Sequence, residues 1–146
     1  MKHTILLVED SKVQKLAGQQ ILHRAGYLVL LASDGEEGLH LARESRPDLI
    51  LLDLRLPGME GEDVLRTLKL DRVTQAIPVI IVSDLAPTNS AELMAAGAAG
   101  YFEKSRFLSD ALGEAVFLEM IMRAIREGEA LRRGSKTPPL VCRQGA

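Results

Sequence analysis

A chain of 146 residues, 47% apolar and 26% charged, is one domain of ordinary size with material for a real core. A net charge of −2 excludes a basic field for nucleic acid, and the single cysteine, Cys142, excludes an internal disulfide and fits a reducing, cytoplasmic setting. The apolar run after Met1-Lys2-His3-Thr4 is only four residues long, too short for a signal peptide or a membrane span.

Aromatic residues are 3% of the chain and Trp is absent, so the core is predicted to be aliphatic. Ile5-Leu6-Leu7-Val8 reads as a first strand, apolar on both faces, and runs into Glu9-Asp10. Ser11 or Asp10 caps a helix to about Ala25, with Val13, Leu16, Ala17, Ile21 and Leu22 predicted on its buried side and Gly26 as its stop. Tyr27-Leu28-Val29-Leu30-Leu31 is the second strand. Ser33-Asp34-Gly35-Glu36 has capping-box spacing and opens a helix through Leu39 and Ala42. Leu49-Ile50-Leu51-Leu52 is the third strand and ends in Asp53. Gly61 to about Asp71 carries Val64, Leu65 and Leu68 at helical spacing.

Pro78 enters the fourth strand, Val79-Ile80-Ile81-Val82, which ends in Ser83. A short helix from Thr88 to Ala96 is closed by Gly97, and Gly100-Tyr101-Phe102 is a weaker fifth strand ending in Glu103-Lys104. After a connection over 105–113, a last helix is predicted from about Glu114 to Arg133. Its centre, Ala115 to Met122, is apolar on more than one face. Phe117, Ile121, Ala124 and Leu131 keep the spacing of a short coiled-coil seam, interrupted by Gly128. The domain is thus expected over 1–133, with 134–146 a disordered tail.

Strand and helix alternate five times. Parallel strands need crossovers, and crossovers are right-handed, so the pattern implies an α/β doubly wound parallel sheet with helices on both faces. In such sheets ligands bind outside the carboxyl ends of the strands, and strands one and three are neighbours at the switch point. Glu9, Asp10 and Asp53 then converge in one crevice. Their mutual repulsion calls for a cation, and hard oxygen ligands suit Mg²⁺. Ser83 brings a hydroxyl and Lys104 an ammonium to the same rim. Together they are the parts that place and neutralise a phosphoryl group on a carboxylate nucleophile. Each residue alone has a plainer reading. Asp53 serves as a turn residue, Glu9-Asp10 as a helix start, Ser83 as a cap and Lys104 as a surface charge. What sets them apart is coincidence: four of the five strands end in the needed chemistry on one edge.

The set Glu9, Asp10, Asp53, Ser83 and Lys104 resembles the site of response regulator receiver domains. Leu54-Arg55-Leu56-Pro57-Gly58-Met59-Glu60-Gly61 is similar to that family's loop after the phosphorylated aspartate. Asp34-Gly35-Glu36-Glu37-Gly38-Leu39 and Gly97 to Lys104 are similar to its second-helix opening and its fifth-strand motif. The resemblance runs from about Lys2 to Lys104. It implies a flavodoxin-like sheet of order 2-1-3-4-5. It also implies Mg²⁺ held by Glu9, Asp10, Asp53 and the backbone carbonyl of Arg55, with Asp53 as phosphoacceptor. Ser83 and Lys104 would then bind the phosphoryl oxygens, and Tyr101 would be the aromatic that changes rotamer on activation. The donor it implies is a histidine kinase or phosphotransfer protein. No nucleic-acid or catalytic output segment is read after the receiver region. The expected output is therefore a downstream partner or a second copy, bound by the fourth helix, fifth strand and final helix.

The chain departs from the family pattern in three respects, at four residues. Ser105 replaces a proline, where a cis peptide costs about 2.5–4 kcal/mol. Asp84 places an acid beside the phosphoryl entrance. Arg55 and Leu85 occupy positions that in the family influence phosphoryl lifetime. Asp84 and Ser105 speak for an alternative, a degenerate receiver that binds partners without phosphorylation. A Mg²⁺-dependent phosphohydrolase would need an acid two residues after Asp53, where Arg55 stands. A flavin or nucleotide carrier would need a Gly- or Ser-rich loop where Glu9-Asp10-Ser11 stands.

Overall fold

The computed structural model describes residues 2–84, 90–105 and 111–136. Among these residues strands and helices alternate along the chain. These are β1 (Thr4–Val8), α1 (Lys12–Arg24), β2 (Leu28–Ala32), α2 (Gly35–Ser45), β3 (Leu49–Asp53), α3 (Gly61–Leu70), β4 (Val79–Ser83), α4 (Ser90–Ala95), β5 (Gly100–Glu103) and α5 (Ala111–Lys136). All pairings are parallel and the order is β2-β1-β3-β4-β5, as expected. Every residue of β3 and β4 is buried, so their unbroken aliphatic runs are those of strands covered on both faces.

Strand periodicity divides the core into two compartments. Leu6, Val8, Ile50, Leu52, Val79 and Ile81 face Ala42, Val64, Leu65, Leu68 and Leu93 of α2, α3 and α4. Ile5, Leu7, Leu49, Leu51, Ile80 and Val82 face Leu22 of α1 and Phe117, Ile121, Ala124 and Ile125 of α5. Phe102 of β5 joins the second compartment, its ring 4.9 Å from that of Phe117.

Several local expectations need correction. On α1, Ile21 and Leu22 are buried, but Val13 is 77% and Leu16 59% exposed. The helix turns its smallest side chains to the sheet instead. A Cβ on Gly18 would stand 3.0 Å from Leu7 Cδ2, so α1 packs too closely for a large residue there. At α2 the cap is Asp34, one residue beyond the predicted start. Asp34 Oδ1 accepts from Glu37 N at 2.8 Å, and Glu37 Oε1 accepts from Ser33 N at 2.8 Å. The last helix begins at Ala111 and continues to Lys136, so 134–136 are helical, not tail. At 1.5 Å per residue its 26 residues run for about 39 Å. Phe117, Ile121 and Ala124 are core residues, which overturns the seam. Leu131 is 74% exposed, because beyond Gly128, packed on Pro78, the helix no longer faces the sheet. Thr88, Leu85 and residues 137–146 lie outside the described residues. Among those described, every peptide bond is trans, and no helix is long and apolar enough to cross a membrane.

Candidate functional site

The parallel register brings the strand ends level: Val8 pairs with Leu52, Asp53 with Val82, and Ser83 with Glu103. Glu9 and Asp10 follow β1, Asp53 ends β3, Ser83 ends β4 and Lys104 follows β5. All five predicted residues therefore stand on one edge. Glu9, Asp53, Ser83 and Lys104 are buried, whereas Asp10 is exposed.

Backbone bonds aim the acids. Glu9 N donates to Ala32 O at 2.9 Å, tying the turn after β1 to β2, and Glu9 Oε2 accepts from Ser11 N at 3.1 Å. Asp53 Oδ1 accepts from Arg55 N at 3.1 Å. The close seat of α3 fixes this loop: a Cβ on Gly61 would lie 2.5 Å from Asp53 O and 2.6 Å from Leu54 Cα. One ammonium ties the cluster together. Lys104 Nζ donates to Asp53 Oδ2 at 3.0 Å, to Glu9 Oε1 and to Gln14 Oε1.

One lysine between two buried carboxylates leaves an excess of negative charge. Burial pushes the Glu9 carboxyl above its ordinary 4.5, and the charge of Asp53 adds to the push. The bonds from Lys104 and Ser11 act the other way. Burial also works against the Lys104 ammonium, but its bonds to Glu9 and the charge and bond of Asp53 outweigh that and raise its pKa.

Glu9, Asp10 and Asp53 each offer an oxygen, all within 4.8 Å of one another. A compact set of hard anionic oxygens, one of them solvent-exposed, fits a small divalent cation that keeps some of its waters. The set opens on a cleft of about 530 Å³ whose walls include Ser11, Gln14, Arg55, Pro57, Glu60 and Asp84. Tyr101 is half-buried against the compartment of α2, α3 and α4. Ser105 Oγ donates to Glu103 Oε2 at 3.0 Å, an exposed bond.

Gln14 was missed by sequence reasoning. A glutamine in the first turn of a helix reads as a surface residue, and its partner is 90 positions away.

The model of the response regulator receiver domain family matches residues 5–116. PilH of Pseudomonas aeruginosa is 42% identical over 79 residues, which are 54% of this chain and 65% of PilH, so that match spans just under two thirds of the relative. DivK of Brucella anthropi, a polar-differentiation response regulator, is 36% identical over 97 residues, 66% of this chain and 79% of DivK. Among solved structures, a CheY-like receiver domain protein from Methanospirillum hungatei superposes with a TM-score of 0.77 at 28% identity, covering 89% of this chain and 98% of that one. The receiver domain of the sensor histidine kinase PA1611 from Pseudomonas aeruginosa has a TM-score of 0.74 at 28% identity, covering 86% and 98%. In that protein a magnesium ion is coordinated in the active-site cleft.

Proposed function

Since the chain belongs to the response regulator receiver family, we propose that it is a two-component signalling switch that takes a phosphoryl group on Asp53 from a histidine kinase or phosphotransfer protein. The observation that carries this reading is the buried contact of Lys104 with Asp53 and Glu9, beside the exposed Asp10. An Asp53 carboxylate oxygen attacks phosphorus. The bond from phosphorus to the donor's imidazole nitrogen breaks, that nitrogen keeps the electron pair, and an acyl phosphate remains. Lys104 and the Ser83 hydroxyl donate to phosphoryl oxygens and offset the charge that gathers there. Glu9, Asp10 and Asp53, with the carbonyl of Arg55, would hold Mg²⁺, which lowers the repulsion between the carboxylates and the incoming phosphoryl group.

The experiment is labelling with a small phosphodonor and Mg²⁺. The chain is expected to gain one hydroxylamine-labile phosphoryl group, and Asp53→Asn to gain none while its circular dichroism is unchanged. Full labelling of that variant removes Asp53 from the role. Steady turnover of a phosphate ester would point instead to a hydrolase.

The output we propose is a change in the surface of α4, β5 and α5, with Tyr101 moving as Ser83 closes on the phosphoryl group, read by a downstream protein or a second copy. Exposed Met94 and Leu112 and the partly exposed Val116 supply apolar contacts on that surface. Size measurement and partner capture, with and without beryllofluoride, test it. An unchanged association state and unchanged capture at full occupancy would leave the surface without a role.

A further inference from the structure

The lysine at the centre of the site is held by bonds more than by packing. Behind it lies a cavity of about 40 Å³, walled by Leu7, Ala17, Gly18, Leu51, Val82 and Phe117, with Lys104 itself at its edge. The space is that of a few water molecules, and its walls are mostly apolar, completed by Glu9, Gln14 and Asp53. On that side Lys104 borders empty space rather than a packed side chain.

An ammonium has three N–H donors, and Lys104 Nζ has three acceptors: Glu9 Oε1, Asp53 Oδ2 and Gln14 Oε1. Two of these acceptors belong to the acidic cluster that fits a divalent cation. A cation drawing on Glu9 and Asp53 competes with the lysine for their lone pairs and repels its charge. The oxygen of Gln14 lies outside that cluster. Gln14 stands in the first turn of α1, and its backbone N–H donates to the capping Ser11 Oγ at 3.3 Å, so the cap that starts the helix also anchors this side chain. It lines both the open cleft and the cavity, and so stands between them.

We propose that Gln14 is a positioning residue for Lys104: its amide oxygen keeps the ammonium at the phosphoryl-binding rim when a divalent cation engages Glu9 and Asp53. The inference rests on the function proposed above, since the lysine's task is taken from it. Gln14 is not one of the clustered carboxylates, so its removal should weaken phosphoryl binding through Lys104 and spare cation binding.

The test uses the full chain and Gln14→Met, which keeps the length of the side chain and removes the amide. Mg²⁺ alone is titrated first, then beryllofluoride at saturating Mg²⁺, followed by fluorine NMR. Beryllofluoride affinity is expected to fall about tenfold, ~1.4 kcal/mol, as fits one hydrogen bond to a charged group. Mg²⁺ affinity should stay within about twofold. The Lys104 ammonium signal in proton–nitrogen spectra should broaden, since it reports how firmly the donors are held. In a Lys104→Met background, adding Gln14→Met should cost nothing further, as expected for two residues acting through one bond.

Unchanged beryllofluoride affinity in Gln14→Met overturns the proposal. So does an equal loss of Mg²⁺ affinity, which would make Gln14 a general support of the site, and so do additive losses in the double variant. A native chain that fails to bind beryllofluoride with Mg²⁺ overturns the function itself and this inference with it. A native chain that binds, beside an indifferent Gln14→Met, overturns the inference alone.

Discussion

At Glu9, burial and the nearby charge of Asp53 favour the protonated carboxyl. A raised folded pKa means that the fold gains stability from protonation below the ordinary 4.5 and loses that gain as pH rises through the folded value. Wherever Glu9 is ionised its charge is therefore a liability, which a bound cation would offset. Because the proton and the cation compete for the same oxygens, Mg²⁺ affinity should fall on acidification, starting above the usual carboxylate range. Calorimetry in two buffers of different ionisation enthalpy should detect the protons released on binding. A Mg²⁺ affinity that stays flat down to the ordinary value would contradict the role given to Glu9. Lys104 has a dependence of the same sign in a much higher window. Its folded pKa is raised, so its contribution is complete at neutral pH and is lost only as pH rises through that value. Gly61 sets a steric limit on the same site. The Cβ of Gly61→Ala would meet the backbone of Asp53 and Leu54, which no rotamer change relieves. The substitution should cost about 1–3 kcal/mol of stability in urea denaturation and slow labelling at Asp53.

Among the elements, α5 offers the clearest contrast between neighbouring positions. Ile121 is fully buried beneath the sheet, whereas Met122 is 45% exposed. Ile121→Asp should unfold the domain or cost several kcal/mol, since it buries a charge with no partner. Met122→Asp should change stability by about 0.5 kcal/mol or less. The two midpoints in urea decide the matter, and a well-folded Ile121→Asp would restore the coiled-coil seam. That seam was misread because a 4-3 spacing is the same whether a helix faces a partner helix or its own sheet. The strands were legible for the opposite reason. A run such as Leu49 to Leu52 leaves no polar face, so only a central strand accommodates it. The site was legible because the topology carries four strand ends to one edge, and each ended in a residue with chemistry. Val13 and Leu16 were not, since hydrophobicity alone does not reveal that Ala17 and Gly18 set how closely α1 approaches. Gln14 was hidden in the same way, because its meaning depends on a lysine that only the fold brings near.

For the molecule as a whole, a ligand that binds the folded state alone stabilises it by mass action. Mg²⁺ at a hundred times its dissociation constant should add about 2.7 kcal/mol. For a domain of this size that is a rise in melting temperature of roughly 5–10 °C. A melting temperature indifferent to Mg²⁺ would count against the acidic cluster as a cation site. The sheet has a further consequence for how damage spreads. It separates the aliphatic interior into two compartments, with Leu22 in the cluster on one side and Leu65 in the cluster on the other. Lesions on opposite sides should then behave as independent events. The free-energy costs of Leu22→Ala and Leu65→Ala should sum in the double variant to within about 0.3–0.5 kcal/mol. Pairs within one compartment, such as Leu22→Ala with Ile121→Ala, should depart from additivity, because each cavity alters the room into which the other relaxes. A chain built this way can accumulate changes behind one face of its sheet while the other face keeps its tolerance intact.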